Sequence, residues 1–415
     1  MGGQQFGTGT ILVDMTTMNR VLNFDAAKGE IEVEAGIQWP ELFDYLLRVQ
    51  AGQRQQWGII QKQTGADRLS IGGSLSANVH GRGLSLKPFV ADVESFVLVD
   101  ADGNPRICDR RENTELFRLA IGGYGLFGVI ATVKLRLAPR TKLERVVEVI
   151  ESKELMSSFD KRIADGYLFG DFQYATDHAS DDFLRKGVFS CYRTVDQSMP
   201  VPERQKELSA EDWQRLFYLS HAQKGRAFDE YASYYLSTSG QLYWSDTHQL
   251  SLYLDDYHQP LDRRLGAVAK GTEMITEIYV KRDDLVRFLE DVRRDFRDNK
   301  VDLVYGTIRL IERDEESFLA WAKERYVCII FNLHVVHTQQ GLEQAKQTFR
   351  RLIDFAIRYE GSYYLTYHRW ASRKQVETCY PQFPEFLRLK RRYDPEERFQ
   401  SDWYRHYKTM FADAH

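Results

Sequence analysis

Cysteine is scarce in this chain: four in 415 residues, Cys108, Cys191, Cys328 and Cys379, far apart and without a CxxC pair or a Cys/His cluster. That spacing argues against a disulfide framework and a structural zinc site, so no metal is expected, and it suits a reducing compartment. A basic excess is lacking too. Lys plus Arg number 56 against 60 Asp plus Glu, a formal charge of −4, whereas proteins that neutralise nucleic-acid phosphates carry the opposite balance. No nucleic acid is therefore expected as a partner. No apolar run approaches the ~18 residues of a membrane helix; the candidates are short, such as Val327 to Phe331. Met1-Gly2-Gly3-Gln4-Gln5 has neither the basic nor the apolar part of a signal peptide. What is present is a 43% hydrophobic, 13% aromatic composition, sufficient for the cores of about two to three domains. Together these features predict a soluble, cytoplasmic protein.

The first third alternates short strands and helices with glycine between them, an α+β or α/β pattern. Thr10 to Asp14 (TILVD), Ile31 to Ala35 and Val93 to Val99 read as strands, and Pro40 opens a helix whose apolar residues Leu42, Tyr45, Leu46 and Val49 share a face. Asp102-Gly103 marks a turn into a return strand, Pro105 to Cys108. Asn113 is placed to cap a helix over Asn113 to Ala120, and Val129 to Leu137 reads as a strand. From about residue 141 the elements lengthen, with a helix over Arg282 to Arg297 and an aromatic strand over Gln249 to Asp255. The tail, with the basic run Leu389 to Tyr393, reads as a terminal helix and extension; Lys390-Arg391-Arg392 is expected on a solvated face.

Two segments are rich in glycine. Gly65 to Gly83 (GADRLSIGGSLSANVHGRG) is too glycine-dense for a regular element and reads as a functional loop. Gly123-Tyr124-Gly125-Leu126-Phe127-Gly128 satisfies GxGxxG, but a helix precedes it and a strand follows, the reverse of the dinucleotide fingerprint. Bare backbone in both segments, and in Gly2-Gly3-Gln4-Gln5, can still approach an extended ligand closely. Three unrelated turns remain the alternative.

Ile31 to Gly36 with Trp39, Leu69 to Gly83, Glu115 to Pro139 and Asp394 to Asp402 (DPEERFQSD) resemble, in order and spacing, flavoproteins of the vanillyl-alcohol oxidase and p-cresol methylhydroxylase type. Within that family, Gly72-Gly73-Ser74 through His80-Gly81 is similar to decaprenylphosphoryl ribose oxidases, alditol oxidases and aldonolactone oxidases. The resemblance implies an α+β fold: a two-subdomain FAD-binding domain of the p-cresol methylhydroxylase type over 1–140, and an α+β substrate (cap) domain with an antiparallel sheet over 141–375. A segment over 376–415 would return to the FAD domain. It also implies an FAD cradle lined by Gly65, Leu69, Gly72, Gly73, Ser74, Ala77, Val79, His80 and Gly81, with Gly122, Gly123, Gly128 and Ile130 as the second wall. Gly2, Gly3, Gln4 and Gln5 resemble the end of the family's pyrophosphate loop. The strands and the flavin-linking histidine that precede that loop in the family have no counterpart in these 415 residues. The FAD domain is thus expected to be truncated at its N-terminus. Ala66 to Ser70 also lacks the cysteine of doubly linked members, so the FAD is expected to be non-covalent.

The implied activity is FAD-dependent oxidation of a CH–OH group of a sugar, polyol or aldonolactone-type small molecule, with oxygen, a quinone or a protein as electron acceptor. Tyr305 to Glu312 (YGTIRLIE) resembles the strand that presents a substrate-facing arginine, which Arg309 matches, with Thr307 at the position of an acidic residue in alditol oxidases. His368 to Lys374 (HRWASRK) resembles the His-Trp-x-Lys segment with one extra residue, giving His368 and Lys374 as candidates and Tyr367 as a substitute. His80 completes the catalytic set as a flavin-adjacent residue. His334 and His337 read as core histidines, and Tyr234 to Tyr257, with Trp244 and His248, as an aromatic sugar wall or as core. The alternatives are a flavin-dependent C=C reductase of the sterol 24-reductase type and a catalytically inactive flavin-fold binding protein.

Overall fold

The computed structural model describes residues 4–251 and 253–412. The N-terminal part holds β1 (Val21–Asp25), β2 (Glu30–Glu34), α1 (Trp39–Val49), β3 (Trp57–Gly58), α2 (Ile71–Ala77), β4 (Val93–Val99), β5 (Pro105–Asp109), α3 (Thr114–Ala120), β6 (Val129–Arg136) and β7 (Ala138–Pro139). Five of these strands form an antiparallel sheet in the order β1-β2-β6-β4-β5. In β2 the residues Ile31 and Val33 point into the core while the glutamates alternate with them, the period-2 signature of a strand with one dry face. α1 starts with Pro40 in its first turn and a Gln38/Glu41 capping box, and it buries Trp39, Leu42, Phe43 and Leu46.

The remainder contributes β8 (Lys142–Glu151), α4 (Leu155–Ala164), β9 (Tyr167–Tyr174), β10 (Lys186–Thr194), α5 (Ala210–Ala222), α6 (Lys224–Ser237), β11 (Leu242–Trp244), α7 (His258–Leu265) and β12 (Gly271–Lys281). It continues with α8 (Leu285–Asp298), β13 (Leu303–Ile311), β14 (Tyr326–Val336), α9 (Gln339–Arg358), β15 (Ser362–Tyr363), α10 (Arg373–Cys379), α11 (Phe383–Tyr393) and α12 (Asp402–Met410). Eight strands form one antiparallel sheet in the order β11-β8-β10-β9-β13-β14-β12-β15. The last helices fold back on the N-terminal part: Phe386 packs on Phe127, Tyr393 donates to Glu115, and the amide of Asp402 donates to the carbonyl of Phe6.

Several elements differ from expectation. Thr10 to Asp14 is irregular, with Ile11, Leu12 and Val13 exposed, because no strand among the described residues lies alongside to take its backbone bonds. The glycine-rich loop contains a helix, α2, capped by Ser70 Oγ, which accepts from the amide of Gly73. Asn113 does precede α3, but its side chain donates to the carbonyl of Ile107 instead of capping. The described part of Gln249 to Asp255 is not a strand; it is a strap whose polar groups bind residues 62–68. Lys390 is not solvated: it is fully buried and ion-paired with Asp394.

Candidate active site

The eight-stranded sheet has two unlike faces. One carries Phe172, Phe189, Ile278, Ile329 and Phe331 and is packed dry by α4, α8 and α9, with Phe159 against Phe189 and Phe288 and Phe296 against Phe331. The other carries Glu277 and Tyr279 on β12, Cys328 and Asn332 on β14, Thr307 and Arg309 on β13, Asp171 and Gln173 on β9 and Ser190 on β10. Residues 82–86 reach this polar face where the sheet opens between β9 and β13. The amide of Gly170 donates to the carbonyl of Arg82, that of Leu84 to Leu168, and that of Glu312 to Leu86.

The segment before this wedge delivers His80. Asn78 sits in the left-handed region at φ 47°, which asparagine tolerates well. It anchors the segment by donating to Asp314 Oδ2 at 2.9 Å and accepting the amide of Val90 at 3.0 Å. His80 is fully buried, its ring 5.0 Å from that of Trp321. Its Nε2 lies 2.8 Å from Glu277 Oε2 and its Nδ1 3.1 Å from the carbonyl oxygen of Gly81. Both ring nitrogens thus face oxygen atoms, which fixes the orientation of the ring. Glu277 also accepts from Tyr279 Oη at 2.9 Å and from Tyr367 Oη at 2.8 Å. Burial pushes the Glu277 carboxyl up, but His80, Tyr367 and the nearby Arg309 outweigh it and hold the group below the usual carboxylate range. Burial raises the Cys328 thiol, 3.7 Å from the same carboxylate, well above its ordinary value.

A second feature of this face is a set of buried polar atoms without protein partners: Arg309 Nε and Nη1, Thr307 Oγ1, Gln173 Oε1, Asp171 Oδ1 and Ser190 Oγ, with Arg82 Nε above them. Buried polar groups are nearly always hydrogen-bonded, and leaving one unmade costs about 1–3 kcal/mol. So many on one sheet face mark a place where a polar ligand completes the bonding. Donors and acceptors are mixed, with a fixed guanidinium among them, which fits the carbonyl and N–H edge of a flavin and the hydroxyls of a sugar-like substrate. An open recess lined by Glu144, Arg193 and Gly240 lies at the far edge of the sheet and holds none of these residues.

The cradle residues sort into several groups. Gly122 and Tyr124 donate to the carbonyls of Leu75 and Ser76, so the two glycine-rich segments meet at the end of α2. Gly65, at φ +78°, has open space at its Cβ position, but its amide donates to Ser251 Oγ and its carbonyl accepts from Tyr253 Oη; Gly73 is exposed and its amide serves the Ser70 cap. Gln4 is buried with Nε2 unpartnered, whereas Gln5 is exposed; Gly2 and Gly3 lie outside the described residues. Other glycines serve packing: a Cβ on Gly72 would meet Ala35 Cβ at 2.9 Å, on Gly81 the Lys62 carbonyl at 3.0 Å, on Gly123 the Leu119 carbonyl at 2.0 Å and on Gly128 the Val99 carbonyl at 2.6 Å. Ser74 Oγ accepts from Trp39 Nε1 at 3.1 Å, Val79 and Ile130 are core residues, and Leu69 and Ala77 are partly buried against the core.

Two catalytic candidates lie elsewhere. His368 sits behind the sheet, stacked on Phe349 with ring centroids 4.6 Å apart and hydrogen-bonded to Thr276, and burial pushes it down to about 3. Lys374 is exposed in the first turn of α10. Tyr367, the residue before His368, points into the site and donates to Glu277 Oε1. Glu277 and Tyr279 were missed from the sequence; the only signal was an acidic residue inside the apolar run Ile275 to Val280.

Residues 1–109 match the family model of an FAD binding domain. Over 402 residues the chain is 25% identical to L-gulono-1,4-lactone dehydrogenase of Mycobacterium tuberculosis (strain CDC 1551 / Oshkosh), covering 96% of this chain and 86% of the relative. It is 28% identical to L-gulonolactone oxidase of Bos taurus over 157 residues, 38% of this chain and 34% of the relative. A solved structure, solvent-stable cholesterol oxidase, superposes with a TM-score of 0.69 at 15% identity, covering 95% of this chain and 85% of that one. Residues 1–109 therefore carry an FAD binding domain, on a chain with the fold of FAD-linked oxidoreductases of the vanillyl-alcohol oxidase and p-cresol methylhydroxylase type.

Proposed function

We propose that the protein oxidises a CH–OH group of an aldonolactone-type sugar substrate, with the chemistry on the polar sheet face between His80 and Arg309. The observation that carries this reading is the set of buried, unpartnered polar atoms around Arg309, on the face that the FAD-domain segment 78–86 covers. Relatives named for gulonolactone chemistry support the substrate class. When bound, FAD supplies the hydride acceptor for the substrate carbon. Arg309 aims two free N–H groups at a substrate oxygen and, as a fixed cation in a dry site, stabilises negative charge that develops there. The His80–Glu277 pair, with His80 Nε2 on Glu277 Oε2, would take up the hydroxyl proton as the hydride leaves the substrate carbon. Glu277 also orients the Tyr367 phenol, so its role is to position these two groups. The walls exclude water, which strengthens each of these interactions.

The proposal includes an FAD-binding part over 1–140, a substrate part over 141–375 and a returning segment over 376–415. FAD is held without a covalent bond, and both nitrogens of His80 are already engaged. Four buried, unpaired thiols suit a cytoplasmic location. No helix among the described residues is long and apolar enough to cross a membrane. The test is a visible spectrum of the purified chain before and after incubation with FAD, then denaturation and filtration, and anaerobic addition of L-gulono-1,4-lactone. Released flavin that bleaches with the lactone supports the proposal. A chain that stays colourless with added FAD sinks the cofactor assignment, and a yellow chain that no aldonolactone bleaches sinks the substrate class.

A further inference from the structure

Away from this site, at the other end of β12, three imidazoles converge on one carboxylate. Glu273, its side chain 5% exposed, faces its cross-strand partner His334 on β14. Glycine at 271 makes room for that ring, since a Cβ there would lie 2.1 Å from His334 Cε1. His334 Nδ1 stands 3.2 Å from Glu273 Oε1, and His221 Nε2, from the last turn of α5, stands 3.3 Å from the same oxygen. His258 Nδ1, from the start of α7, stands 3.1 Å from Glu273 Oε2, where the Tyr257 hydroxyl also donates at 2.7 Å.

Two details set this cluster apart from an ordinary histidine–carboxylate network. First, the His221 side chain is only 4% exposed, and its Nε2, though aimed into the cluster, makes no hydrogen bond of proper geometry. A buried nitrogen left that way is costly unless something accepts its lone pair. Second, the nitrogen–oxygen separations match the edge of a tetrahedron around Zn²⁺, about 3.3 Å when ligands sit at roughly 2.0–2.1 Å. The donor set of imidazoles and one carboxylate is the type that Zn²⁺ and its neighbours in the first transition row take.

We propose that His221, Glu273 and His334 bind one divalent transition ion of the Zn²⁺ class, with His258 on the other oxygen of the carboxylate, at its solvent side. The side chain of His258 is 40% exposed and provides the way in. The ion would tie α5 to the edge of the substrate sheet. Four residues of strand, about 13 Å, separate Glu273 from Glu277, so the ion stands apart from the oxidation chemistry and acts as a structural clamp. The sequence carried no sign of it, because the ligands lie on three separate elements instead of at a finger-like spacing.

The full chain, stripped with a chelator and desalted, is titrated with Zn²⁺ alone by calorimetry, and its thermal midpoint is recorded with and without the ion. One equivalent bound, with a higher midpoint, is expected for the wild type. At least tenfold weaker binding is expected for H221N and for H334N. H258A removes the ring on the other carboxylate oxygen and should retain the stoichiometric site, with an unchanged metal-free midpoint. H337N, which alters a histidine outside the cluster, should bind as the wild type does. Absence of a stoichiometric site in the wild type, or equal affinity in the H221N/H334N double variant, would overturn the assignment and leave a plain histidine–carboxylate network.

Discussion

The two faces of the eight-stranded sheet are built from the same strands, alternating residue by residue, yet they do opposite work. The face under α8 and α9 is closed by Phe288, Phe296 and Phe331. The face toward the FAD-domain segment keeps Arg309, Thr307, Gln173 and Ser190 buried without partners. Apolar packing is concentrated on the first face, whereas the second leaves buried polar atoms unpaired at a cost in stability.

Substitutions on each face should separate these roles. Phe331→Ala removes a fully buried ring and should cost about 3–5 kcal/mol in denaturant unfolding, with little change in turnover per folded molecule. Arg309→Ala should do the reverse. Turnover with an aldonolactone is expected to fall by about a hundredfold, equivalent to about 2.7 kcal/mol of barrier, while FAD stays bound and the unfolding midpoint holds or rises. An Arg309→Ala variant as unstable as Phe331→Ala would mean that the polar face is merely core.

His368 sharpens the contrast, because it is a titratable group on the dry face. Its folded pKa of about 3 lies below the ordinary histidine value. Its neutral form therefore contributes stability that is fully present above pH ~6.5 and is lost as pH falls toward 3, on the order of 2–4 kcal/mol. His368→Phe should flatten that acid limb in thermal melts from pH 7 to 4 and leave turnover within about twofold. The smallest effect is expected for Thr307→Val, which replaces an unpartnered hydroxyl by a methyl. Stability should change by less than about 1 kcal/mol, and the KM for the lactone should rise several-fold.

Much of the N-terminal sheet could be read directly, because β2, β4 and β6 announce themselves by alternation and α1 by its proline and apolar stripe. Thr10 to Asp14 shows the limit of that logic: its pattern is that of a strand, but a strand also needs a neighbour to bond with. Arg309 was singled out through the resemblance of its strand and His80 through the His-Gly pair after the glycines, and both are buried in the structure. Lys374 lies exposed in the first turn of α10, a helix that the segment's motif did not announce, and Glu277 went unseen because a single glutamate in a strand looks the same whether it faces solvent or a buried histidine.

By itself the sequence determined the kind of chain this is: two glycine-rich segments in an alternation of short strands and helices, followed by longer elements with an arginine, Arg309, on a strand. The tertiary structure alone decided which residues meet. His80 and Glu277 lie 197 positions apart, and the ligands of the proposed metal clamp come from three elements. Contacts of that range depend on strand register and on the side of the sheet each residue faces, and neither is written in a local pattern.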